Sequence, residues 1–167
     1  MPGKINKAIF LIYVITALGI SAWLGAIFWA PHLRSHASPW QGLVYAVFSP
    51  VCHQIPSRSF HILGQPLAVC ARCLGIYLGF LGGIVLYPFL RGFTKVSLPR
   101  TGIFVLVSCP IVLDTLGNFA RLWATPNEAR FATGLLWGAV LPFYFITGLA
   151  DLALRKKYDL KSKSHSQ

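Results

Sequence analysis

The sequence predicts an all-α integral membrane protein: a four-helix transmembrane bundle, both termini cytoplasmic, with a long exoplasmic loop between the first and second helices. Three observations predict it. The 167 residues are 55% hydrophobic and only 11% charged, where a soluble domain carries about a quarter charged residues. The apolar residues gather in four runs, each long enough to cross a hydrocarbon layer about 30 Å thick. The cations sit in short clusters between those runs, and their uneven division between the two sides sets the orientation.

The first run, residues 8–30, has no charge and makes about 35 Å of helix, enough to span with some tilt. The opening MPGKINK resembles a signal-peptide n-region. The run behind it exceeds an h-region of about 7–15 residues and lacks a small-x-small exit, so it reads as an uncleaved helix. Trp23 and Trp29 fall toward its far end, where indoles favour the interface, and Pro31 is expected to end it. Residues 31–69 form the long loop. Ser38-Pro39 suits the N-cap and first position of a short helix over 40–48, apolar enough to lie against the membrane. Residues 59–63 and 66–69 read as a small hairpin turning on Gly64-Gln65.

A second helix is expected over 70–90, with Pro88 as a kink or stop. A basic turn, 91–100, leads to a third helix over 101–123, interrupted in pattern by Pro110 and by the polar Asp114, Asn118 and Arg121. Residues 124–129 connect it, capped by Thr125 or Asn127, to a fourth helix over 130–154. An internal Pro142 is tolerable in a membrane helix. A basic tail, 155–167, closes a single membrane domain, its end expected to be disordered and His165 without a role.

Fifteen Lys and Arg stand against four acids, a net charge of +11. Ten cations fall on the side of the termini: Lys4, Lys7, Arg91, Lys95, Arg100, Arg155, Lys156, Lys157, Lys161 and Lys163. Five fall on the other: Arg34, Arg58, Arg72, Arg121 and Arg130. That division places the termini in the cytoplasm and the loop outside the inner (plasma) membrane. Because the cations flank apolar runs, the positive charge reads as orientation in an anionic membrane, with lipid as partner and nucleic acid excluded.

The chemistry gathers where the loop meets the second helix. Cys52, His53, Cys70 and Cys73 form C-H-x16-C-x-x-C. A Cys-x-x-Cys turn lets two sulfurs reach one ion, and a pair from across a hairpin can complete a tetrahedron, so zinc is the expected metal. His61 is a substitute ligand, since adjacent Cys52 and His53 do not easily face one point; His32 and His36 lie farther off. Redox chemistry competes. Cys70 starts a helix whose dipole favours a thiolate, and Arg72 adds a cation. A Cys-x-x-Cys at the outer mouth of a four-helix bundle also looks like the membrane disulfide oxidases that reduce quinone. Those use two cysteine pairs, whereas Cys109 here falls inside the third helix, an odd count that favours the metal. A structural disulfide, Cys70–Cys73 or Cys52 with either, is the bland alternative.

At these residues a resemblance enters. CHQIPSRSF followed by GQPLAVCARCLGIYLGF is similar to a family of small prokaryotic membrane proteins classed as a domain of unknown function. The similarity extends more loosely to the D-x3-N and N-x2-R-x3-G segments. It implies a site at Cys52, His53, Gln54, Arg58, Ser59, Gly64, Cys70, Arg72, Cys73, Gly75 and Tyr77, with Gln54 joining the substrate-binding candidates. Leu74 stands where a small hydroxyl residue is expected. The resemblance implies no particular activity.

Below the cluster lies a polar seam. At 100° per residue Asp114, Asn118 and Arg121 share a face of the third helix, and Asn127, Arg130, Gly134 and Gly138 share one of the fourth. A carboxylate in the membrane must be paired or watered, so Arg130, or Arg121, is expected to reach Asp114 through Asn118. Arg72, Gly75, Gly79 and Gly83 form a small-residue stripe that admits close helix packing. The seam suits a phosphate or quinone head group, a proton path, or a plain register-fixing ion pair.

The leading functional reading is a metal-dependent membrane enzyme acting on an anionic or lipid-like substrate. There the metal activates water or polarises a substrate oxygen. Asp114 and Arg130 are the catalytic candidates, with Asp114 carrying protons, and Arg58, Arg72, Asn118 and Arg121 bind substrate. The alternatives are a quinone-linked thiol–disulfide oxidoreductase using Cys70 and Cys73, and a non-enzymatic subunit or transporter with a zinc-stapled cap. Four helices are few for a transporter, so that version calls for a homo-oligomer.

Overall fold

The computed structural model describes residues 7–93 and 99–164, and for 154–164 the helical path of the backbone alone. The chain runs α1 (Lys7–Ser35), α2 (Gln41–Phe48), a 3₁₀ turn (Pro56–Arg58), β1 (His61–Ile62), β2 (Gln65–Pro66), α3 (Ala71–Leu90), α4 (Thr101–Phe119) and α5 (Asn127–Ser164). Four helices are long and apolar enough to cross a membrane: α1, α3, α4 and the Asn127–Ala153 part of α5. Lys4 and Lys95, counted above among the cations, lie outside the described residues, as do His165 and the end of the tail.

The centre of the molecule is the α3–α5 pair, with α1 packed across both and α4 lying along α5. Glycine makes that pair unusually close. A Cβ at Gly75, Gly79 or Gly83 would meet the carbonyl oxygens of Phe131, Leu135 and Ala139 at 2.2, 2.2 and 2.3 Å. In return, one at Gly134 or Gly138 would meet the Arg72 and Ile76 carbonyls at 2.3 and 2.1 Å. Each helix thus lays its carbonyl ridge into the other's glycine groove, where van der Waals contact and Cα–H···O pairing hold helices together in lipid.

Two buried clusters occupy the two ends. One joins Leu24, Ile27 and Ala30 of α1 to Phe48, Cys52, the 67–69 segment and Leu74. The other joins Ile9, Ile84, Tyr87, Ile146 and Ala150. Trp23 belongs to the first cluster, edge-on to Phe48 at 4.6 Å between ring centroids. It packs the cap, while Trp29 is exposed as a belt residue would be.

Several boundaries differ from expectation for backbone reasons. Pro31 does not end α1. The helix continues to Ser35 and closes through Ala37 at φ 49°, with Ser38 N donating to Leu33 O at 2.9 Å. α4 stops at Phe119, before the expected 123, by the same device: Arg121 at φ 56° and Leu122 N on Gly117 O at 2.9 Å. Both are left-handed helix closures made without the usual glycine. The hairpin turns on Leu63-Gly64, both with positive φ as a primed two-residue turn requires, one position earlier than expected. The short helix begins at Gln41 behind Trp40, so Ser38-Pro39 form the turn before it. α5 starts at Asn127 and runs through the expected tail to Ser164.

Candidate metal centre

The segment carrying Cys52 is fixed by hydrogen bonds that its own residues make. The amides of Val51 and Cys52 donate to Phe48 O at 3.1 and 3.0 Å, closing α2 and turning Cys52 inward. Gln54, at φ 51°, spends its side-chain amide on two carbonyls, Tyr45 O at 2.7 Å and Ala68 O at 2.9 Å. The Tyr45 hydroxyl donates to Pro66 O at 2.5 Å. These bonds tie α2 and the Cys52 turn to the strand entering α3, and so set Cys52 opposite Cys70.

Cys70 is the N-cap of α3 and Cys73 lies one turn in. The sulfurs of Cys52, Cys70 and Cys73 all lie within 4.8 Å of one another, and all three residues are free thiols. A tetrahedral zinc holding each sulfur at about 2.3 Å spaces its sulfurs about 3.8 Å apart, so the triangle fits with little adjustment. The Cys70 amide donates to Cys52 Sγ at 3.1 Å. The Cys70 thiol is itself held well below the ordinary thiol range. Hydrogen bonding from Cys52 and then Cys73 is the main cause, opposed by burial and aided by the amides of Cys73 and Arg72 in the first turn of α3.

Of the four expected ligands the fold therefore gathers three. His53, next to buried Cys52, lies outside the thiol triangle. His53 is exposed on the rim. His61, on β1, and His32 and His36, at the end of α1, are exposed outside the triangle.

A cavity of about 280 Å³ opens on the triangle's free side, lined by Val51, Cys52, His53, Ile55, Arg58, Cys70, Arg72, Cys73, Asn118 and Arg130. Three arginines from three elements converge there: Arg58 from the 3₁₀ turn, Arg72 from α3 and Arg130 from α5. Behind them lies the polar seam. Asp114, 8% exposed, forms an ion pair with Arg72. Asp114 also accepts from the Thr125 hydroxyl and, at 3.0 Å, from Asn118 Nδ2. Arg130 Nη2 donates to Asn118 Oδ1 at 3.1 Å. The expected path from Arg130 through Asn118 to Asp114 is present, and the direct cation is Arg72.

Among the remaining candidates, Gln54 braces the loop and is not on the cavity wall, and Asp114 stands one layer behind it. Arg121 is the exposed left-handed residue closing α4 and does not line the cavity. Thr125, expected as a helix cap, instead holds Asp114 and Asn118. The signal for the Arg72 pairing was present, since a membrane carboxylate needs a nearby cation. Helical geometry within one helix does not select among cations carried by three.

The family described as "Predicted membrane protein (DUF2085)" matches residues 52–144, a stretch holding the three thiols, Arg58, Arg72, Asp114, Asn118 and Arg130. An uncharacterized protein of Methanocaldococcus jannaschii is 33% identical over 150 residues, covering 86% of this chain and 96% of the relative. An uncharacterized protein of Methanothermobacter thermautotrophicus is 36% identical over 92 residues, covering 53% of this chain and 78% of the relative. No solved structure matches the chain.

Proposed function

The chain belongs to the DUF2085 family of predicted membrane proteins, and on that premise we propose that it is a metal-dependent membrane enzyme. Cys52, Cys70 and Cys73 would hold a zinc ion, with the arginine-lined cavity beside them to admit a substrate. The observation carrying this reading is the count and placement of ligands: three sulfurs in one corner, and space on the remaining side. Closed structural zinc sites use four protein ligands, whereas three plus an open position is the catalytic pattern. The metal supplies an activated water or polarises an oxygen of an anionic or lipid-like substrate. Arg58 and Arg130 hold that substrate, while Asp114 positions Arg72. The cation division supports the reading that this end of the bundle faces the exoplasmic side of the plasma membrane.

One observation favours a second reading. Cys70 caps the N-terminus of α3 and Cys73 lies one turn in, their sulfurs within 4.8 Å of each other, an arrangement that suits disulfide exchange. Cys70 and Cys73 would then close a disulfide, their two electrons and two protons reducing a quinone to quinol.

Metal analysis and thiol counting on one preparation separate the two. The zinc reading expects about one zinc per chain, three thiols that react only after chelation, loss of zinc in Cys70→Ser and full retention in Cys109→Ser. Metal-free protein whose Cys70 and Cys73 cycle with quinone would replace it with the redox reading.

A further inference from the structure

We propose that the cavity beside the thiols is a receptor for a phosphate-class tetrahedral oxyanion, gripped by Arg58, Arg72 and Arg130. The inference rests on this cavity being the substrate side of the proposed centre, yet the arginine geometry exists independently of any metal.

Charge points to an anion. Three guanidiniums line one cavity, and the carboxylate behind them, Asp114, is paired with Arg72. Three thiolates on a divalent ion leave one negative charge at the far wall, so the walls stay positive with the metal in place. Such a cleft concentrates anions.

Hydrogen bonding points the same way. Arg72 gives Nη2 to Asp114, but its Nε is buried and without a partner among the described residues. A buried donor left unmade is costly, so an unfilled one calls for an acceptor. Arg130 gives Nη2 to Asn118 and lines the cavity. Two of the three guanidiniums are thus oriented before any ligand arrives, which lowers the ordering cost of binding. Arg58 is exposed and lines the same cavity.

Shape selects the class. A planar carboxylate presents two oxygens, which one guanidinium fork satisfies. Three guanidiniums from three elements suit an oxyanion whose oxygens point in several directions. A volume of about 280 Å³ lies just below the range of drug-sized ligand sites, about 300–1,000 Å³. It takes a head group and leaves any acyl chain outside. A free phosphate ester and a phospholipid head share this chemistry.

The test is titration of the purified full-length protein in detergent with inorganic phosphate, glycerol phosphate and succinate. A parallel arm compares retention in nanodiscs containing phosphatidic acid or phosphatidylcholine alone. Phosphate-class binding should weaken at least about tenfold in Arg58→Gln and in Arg130→Gln, and fall with salt, while Arg58→Gln keeps its melting temperature and zinc content. Response to the soluble phosphates assigns a soluble ester, and response to phosphatidic acid alone assigns a lipid head. Three results would overturn the inference: no binding in either arm, arginine variants within twofold of wild type, or succinate bound more tightly than phosphate. Zinc-loaded protein without phosphate binding sinks this inference alone. Metal-free protein that binds phosphate normally sinks the zinc reading alone.

Discussion

Asp114 is the residue on which the candidate site's rigidity depends. Its carboxylate accepts from Arg72, Asn118 and Thr125, so one buried acid fixes the helix carrying two of the thiols and, through Asn118, the arginine of α5. Asp114→Asn preserves the shape but leaves Arg72 a charge without its counter-ion. Removing one partner of a buried pair costs about 3–5 kcal/mol. The Arg72 side chain is 22% exposed, so the loss should fall near 3 kcal/mol, read as a lower unfolding midpoint in detergent. The double variant Arg72→Gln/Asp114→Asn should recover much of it, because no orphan charge remains. Strictly additive losses would show that the two groups do not interact. That Asp114 needed a cation was legible in the chain, since acids are expensive in lipid. Which arginine serves it depended on the approach of α3 to α4, information that is tertiary and not local.

At the scale of elements, the α3–α5 contact divides the glycines of one helix into two kinds. Gly79 faces the Leu135 carbonyl with no room for a methyl, whereas Gly82, three residues on, meets nothing within 4 Å. Gly79→Ala should therefore force the helices apart and destabilise by about 1–3 kcal/mol, the usual penalty for overpacking. Gly82→Ala should be neutral or stabilising by up to about 1 kcal/mol, from helix propensity. Equal melting temperatures for the two variants would contradict the close crossing. Arg72 and Cys73 stand on the same first turn as this groove, so on the proposed zinc reading Gly79→Ala should also lower zinc retention. The stripe was readable because fourfold glycine spacing has one common physical use in membranes. The helix ends were not. Ala37 and Arg121 close α1 and α4 in a left-handed conformation that glycine usually marks, and neither residue announces it. Pro31 misled for the opposite reason: it is buried within α1, whose helix carries on for one more turn.

Over the whole molecule, the parts that follow from solvent are the parts the chain states openly. Four apolar stretches give four spans because lipid admits little else, and the cap between α1 and α3 follows from the polar stretch left over. The thiol triangle was legible as a spacing. Its third dimension was not, because the placement of His53 on the rim, outside the triangle, depends on how the Cys52 turn is held, and Gln54 and Tyr45 brace that turn from within the loop. Orientation is the remaining global property. The cavity and the thiols sit at the end holding α2, the hairpin and the α4–α5 connection, where Asn127 Nδ2 reaches Ser57 O at 3.3 Å. The ten-to-five cation division is the argument for turning that end away from the cytoplasm, and it can be tested directly. His36, exposed just beyond α1, gives a reporter position. In a Cys109→Ser background, which removes the exposed α4 thiol, His36→Cys should react with a membrane-impermeant maleimide in intact cells. A cysteine appended at the C-terminus should react only after lysis. The reverse pattern would turn the arginine cavity to the cytoplasm, where its anion would come from the cell interior and the thiols would meet a reducing pool.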